Sequence, residues 1–150
     1  MSEAKNRLKD DSGQEPVVKQ WDVKKGGEYS IPYDIGFKNE KHIAAVRAAL
    51  NLIQEETCLN FRVRKKGDAD YIHFTDLGGC WSYVGRNGGK QPVSLGRGCK
   101  TAGKVSHETM HALGFIHEHQ REDRDLYVQV KNVTFFKDFG LLSIFSTMLL

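Results

Sequence analysis

Ser106–Asp123 reads SHETMHALGFIHEHQRED, and within it His107, Glu108, His111, Gly114 and His117 spell H-E-x-x-H-x-x-G-x-x-H. On a helix of about 3.6 residues per turn, positions four apart share a face, so His107 and His111 can present their imidazoles to one ion. Glu108 follows the first of them, which points its carboxylate beside a metal and within reach of water there, outside the first coordination shell. A helix continuing past His111 would carry His117 away. Gly114 accepts the left-handed conformation that ends a helix and turns the chain, so His117 can return as a third ligand.

Three imidazoles leave a coordination position open, which separates catalytic zinc from closed, cysteine-rich structural zinc. Zinc lowers the pKa of water to about 7 and polarises a carbonyl, and Glu108 is placed to accept the water's proton and pass it to a leaving amine. The reaction this predicts is hydrolysis of a peptide bond with Glu108 as general base. The five specified residue types include three of the six histidines in the chain, which makes chance a poor explanation. Val105, Ala112 and Ile116, with Leu113 and Phe115 nearby, give the histidine helix an apolar side on which to pack.

The extended histidine run resembles the signature of the metzincins. Its continuation through Gly114-Phe115, His117-Glu118-His119, Arg121, Asp123-Arg124-Asp125 and Tyr127-Val128 resembles the astacin family of zinc endopeptidases. Upstream, Ile31-Pro32-Tyr33 is similar to that family's first strand and Thr57-Cys58 with Asn60-Phe61 to its first helix end. Gly79-Cys80-Trp81-Ser82-Tyr83-Val84-Gly85-Arg86 is similar to its edge strand, and Val93-Ser94-Leu95 with Gly98-Cys99 to the segment before the zinc helix. The resemblance runs in consistent order from Ile31 to Val130.

The resemblance implies a role for each matched residue. His107, His111 and His117 bind one zinc ion, and Glu108 is the base. Glu118 takes a structural role linked to activation, by holding a processed amino terminus. Trp81, Ser82 and Tyr83 lie on a strand that pairs with extended substrate, a known mode of peptide recognition. The resemblance also implies a Cys80–Cys99 disulfide, and hence an oxidising, extracellular compartment. Cys58 is expected to be free or buried, because its family partner lies beyond Leu150. The family would continue into a second subdomain with a methionine turn, which Ser146-Thr147-Met148-Leu149-Leu150 resembles only superficially, Leu150 standing where tyrosine belongs. The chain thus reads as shortened after the zinc motif. The alternative reading is a truncated, non-catalytic zinc- or peptide-binding protein lacking the carboxy-terminal half of the cleft.

Length and charge agree with one domain. The chain has 150 residues, 22 basic against 19 acidic, and a net charge of +3 without a basic stripe, so nucleic acid is not an expected partner. No apolar run reaches the roughly 20 residues of a membrane span. The first residues, MSEAKNRLKDD, lack the apolar core of a secretory signal. Met1 to Lys25 is polar and without periodicity, and reads as a flexible tail or propeptide remnant; residues 26–150 read as a partial catalytic domain. Ile43, Val46, Leu50 and Ile53 fall at helical spacing across Lys41–Glu56. Alternation at Phe61 and Val63, and at Ile72 to Phe74, predicts short strands. His42 and His73 are read as a surface and a sheet residue, and Asn132-Val133-Thr134 as a glycosylation acceptor relevant only to a secreted chain. The expected fold is α+β, a metzincin-like amino-terminal subdomain with a mixed twisted sheet and two long helices, the second carrying the zinc motif.

Overall fold

Strand-forming residues at alternating positions build the sheet. The structure, a computed structural model, describes residues 3–5, 18–21, 24–25, 28–127 and 129. Its strands are β1 (Glu3–Lys5), β2 (Lys24–Lys25), β3 (Glu28–Ile35), β4 (Leu59–Val63), β5 (Tyr71–Thr75), β6 (Cys80–Tyr83) and β7 (Lys90–Leu95), and its helices are α1 (Glu40–Glu56) and α2 (Ala102–Leu113). The seven strands join in one mixed sheet in the order β1-β6-β7-β5-β3-β2, with β4 paired to β3. Pairs β3–β5, β5–β7 and β3–β4 are parallel, whereas β6–β7 is antiparallel. The mixed α+β architecture with its histidine motif on the second helix matches the expectation from sequence. β7, quoted in the sequence only as the run-up to that helix, is a full strand between β5 and β6.

Strand register explains the core. Tyr33, Ile72 and Gln91 stand side by side on adjacent strands, as do Ile35, Phe74 and Val93. Ile31, Ile72, Phe74, Val93 and Leu95 have no solvent exposure. Period-two alternation puts Asp34, His73 and Pro92 in the neighbouring row, where His73 Nδ1 bonds Asp34. α1 is capped by Asn39, whose side chain accepts from the Lys41 amide at 2.9 Å, and it buries Val46, Ala49, Leu50 and Ile53. Each of the larger of these contributes about 1.5–3 kcal/mol by leaving water. Val105 and Ala112 of α2 join the same core, while Phe115, expected to pack with them, is 55% exposed because it follows the helix end.

α2 is fastened at both ends. At its start the Cys80–Cys99 disulfide ties β6 to the approach of the helix, and Lys100 Nζ meets Asp76 at 2.7 Å. The Lys100 ammonium, followed by the Gly78 amide, holds the Asp76 carboxyl below its ordinary range. At its end the chain turns at Gly114, φ 111°, where a side chain would be strained.

β6 is not the outermost strand, because Glu3–Lys5 pairs along it in parallel, Glu3 beside Trp81 and Lys5 beside Tyr83. Within the stretch read as a tail, Trp21 is a core residue, 5% exposed. No helix among the described residues is long and apolar enough to cross a membrane.

By internal contacts the chain divides into two units, Ser2–Phe115 and Ile116–Leu150 with Met1. Everything above belongs to the first. In the second, single-turn 3-10 helices span Glu118–Gln120 and Arg124–Leu126. Arg121 clasps Asp123 through two contacts of 2.8 Å, which raises the guanidinium's proton affinity and lowers that of the carboxyl. The expected glycosylation acceptor and the Ser146–Leu150 segment lie outside the described residues.

Candidate metal centre

The 3.6-residue repeat of α2 delivers the first two histidines as the sequence predicts. His107 Nε2 and His111 Nε2 stand 3.2 Å apart. Two nitrogens on a tetrahedral zinc, each about 2.0–2.1 Å from it, are separated by roughly 3.3 Å, so the pair has the spacing of two ligands. His111 is 3% exposed, and its Nδ1 lies 2.8 Å from the Phe115 carbonyl. A carbonyl only accepts, so Nδ1 carries the proton and Nε2 keeps its lone pair for a metal.

His107, His111 and His117 each offer one ligand atom, and these atoms all lie within 4.8 Å of one another. The three histidines are positioned to bind one metal ion. All three donors are nitrogens and no cysteine joins them, a set that suits zinc and leaves room for water. His119, two residues on, is not among them; its ring stacks on His117 with centroids 5.3 Å apart.

Glu108, between His107 and His111 on α2, is 1% exposed. Glu118 in the second unit is largely exposed and lies 3.5 Å from Arg121. On β6, Trp81 and Tyr83 meet edge to face at 5.7 Å, and the Trp81 indole donates to the Gly78 carbonyl at 3.0 Å. Ser82 between them is fully buried, its hydroxyl donating to the Tyr83 carbonyl at 2.8 Å. Cys58 is exposed and unbridged.

Sequence reasoning did not anticipate what holds the end of α2. The Gly85 amide donates to the His111 carbonyl at 2.9 Å, and the Trp21 indole to the Ala112 carbonyl at 2.8 Å. Neither partner is near in sequence, and no local pattern announces a contact across such a distance.

A mixed sheet backed by two helices, with three imidazole donors around one centre, defines a zinc protein of the open, three-histidine class. The family model for astacin, a family of peptidases, matches residues 16–138. The chain is 46% identical over 101 residues to zinc metalloproteinase nas-13 of Caenorhabditis elegans, covering 67% of this chain and 22% of that protein. It is 40% identical over 112 residues to the astacin-like metalloendopeptidase of Gallus gallus, covering 73% and 27%. High choriolytic enzyme 1, a hatching enzyme zinc-protease of the medaka Oryzias latipes, matches in structure with a TM-score of 0.68 and 37% identity, over 74% of this chain and 56% of that one. The chain belongs to the astacin family of zinc metalloproteases, and it spans only about a quarter of the length of these curated relatives.

Proposed function

We propose that this chain carries the zinc-binding part of a metalloendopeptidase that hydrolyses peptide bonds in proteins or peptides. The observation that carries the reading is the convergence of His107, His111 and His117 with a carboxylate, Glu108, on the same helix as the first two. When bound, zinc supplies Lewis acidity, which activates water near neutral pH and draws electron density from a carbonyl.

The chain's own groups do the rest. His107, His111 and His117 hold the ion, with His111 oriented by the Phe115 carbonyl. Glu108 removes a proton from the attacking water and delivers it to the departing nitrogen. Burial of Glu108 on α2 fixes its position relative to the ligands, because a helix holds neighbouring residues in constant relation. Trp81, Ser82 and Tyr83 bind substrate through the β6 backbone. In support, that strand already accepts an extended segment, Glu3–Lys5, along its outer side. Glu118 serves structure or activation. Residues 1–25 are a tail or propeptide remnant and residues 26–150 the partial catalytic domain, with Trp21 of the first stretch packed into the core. The Cys80–Cys99 bridge favours an oxidising, extracellular setting.

The deciding experiment compares cleavage of an unfolded protein by the zinc-loaded chain and by Glu108→Gln. Cleavage by the parent and its loss in the variant, at equal zinc content, is the expected result. Equal rates would remove Glu108 from the chemistry, and zinc retention without cleavage by either would favour a binding protein.

A further inference from the structure

The last turn of α2 contains His111 and leads to the bend that precedes His117, so whatever secures that turn sets the donor geometry. A helix leaves its final four carbonyls without intrahelical donors. Here the Met110 carbonyl accepts from Phe115 at 3.0 Å, and the His111 carbonyl accepts from both Gly114 and Gly85 at 2.9 Å. The Ala112 carbonyl accepts from the Trp21 indole at 2.8 Å, a buried bond between residues 91 positions apart.

The rest of the 18–21 segment reinforces that bond. The Lys19 carbonyl accepts from the Arg86 amide at 2.7 Å, so the segment bridges the end of β6 to the end of α2. Val18 sits where the two glycines leave space. A Cβ on Gly85 would stand 2.6 Å from Val18 Cγ1, and one on Gly114 would stand 3.1 Å from it. Both glycines have positive φ, 73° and 111°, so backbone conformation and close approach demand glycine together.

We infer that Trp21, with Val18 and Lys19, is a positioning strut for the metal centre: it secures the carbonyl end of α2 and thereby the orientation of His111 and of the Gly114 turn. Trp21 touches neither metal nor substrate. Removing its N–H leaves the buried Ala112 carbonyl without that donor, and the final turn loosens just where a ligand is mounted. Partners one step removed from a metal commonly change its affinity by roughly 10- to 100-fold.

The inference rests on the zinc reading, and one assay separates the two. Zinc affinity of the full chain is measured by competition with a chromophoric chelator, together with the visible spectrum of the cobalt-substituted protein and the thermal midpoint. The variants are Trp21→Phe, which keeps a ring and loses the N–H, and Val18→Ala, at a site 40% exposed and therefore tolerant of truncation. Phe61→Leu, in β4, serves as a control that perturbs the core through a different strand. Expected is roughly tenfold weaker zinc binding in Trp21→Phe, a smaller loss in Val18→Ala, and an altered cobalt spectrum in both. Phe61→Leu should lower the midpoint with affinity and spectrum unchanged. Variants that bind zinc as the parent does, with the parent's cobalt spectrum, would overturn the strut. A parent that binds no zinc would overturn the metal reading instead. Should Trp21→Phe not fold, Val18→Ala decides the matter by the same two readouts.

Discussion

His111 Nδ1 lies 2.8 Å from the carbonyl oxygen of Phe115, four residues on and just past the turn that ends α2. One ring nitrogen of His111 is thereby left available to a metal, while the other links the ring to the helix-ending turn. The ring's orientation and the turn's geometry are coupled, since displacing Phe115 moves the acceptor that holds the tautomer.

His111→Ala removes both functions. Zinc stoichiometry measured by atomic absorption after dialysis is expected to fall from about one per chain to near zero. Glu118→Gln, at an exposed position beyond the ligands, is expected to keep the parent's stoichiometry. Full zinc retention by His111→Ala would exclude it as a ligand.

The Cys80–Cys99 bridge closes a loop with a sequence separation of 19 and anchors the start of α2. Replacing both cysteines with alanine is expected to lower unfolding free energy in urea by about 2–4 kcal/mol. Zinc affinity should fall less than stability, because the ligands sit toward the other end of the helix. An unchanged urea midpoint would show that the bridge contributes nothing to the fold.

Pairing of Glu3–Lys5 along β6 occupies backbone groups that an extended peptide would need. A chain lacking residues 1–8 is expected to bind unstructured peptides several-fold more tightly, read by fluorescence anisotropy with zinc content matched. Unaltered peptide affinity would place the binding surface elsewhere than the outer side of β6.

The Asp76–Lys100 pair makes a pH-dependent contribution. Because the folded state depresses the Asp76 pKa, first through the Lys100 ammonium and then through the Gly78 amide, its stabilisation is present above the unfolded value of about 3.9 and disappears as pH falls through the lower folded value. Asp76→Asn should therefore melt slightly below the parent at pH 7, with the gap closing below about pH 4. The gap stays small because Asp76 is solvent-exposed. A gap that widened in acid would contradict the sign.

Local sequence determined the parts whose physics is local. Helical spacing from Ile43 to Ile53 gave α1, period-two alternation gave β4 and β5, and the histidine run with Gly114 specified both the ligand face of α2 and the turn after it. These follow from repeats of about 3.6 and 2 residues and from glycine's access to positive φ, all of which act within a few residues. The tertiary structure alone decided which distant groups meet them: Trp21 on the Ala112 carbonyl, Val18 between Gly85 and Gly114, Asp34 beside His73, and Glu3–Lys5 along β6. Such pairings depend on strand order and on the course of the chain between elements. Residues that are neighbours there need share no pattern in sequence, so no local rule could announce them.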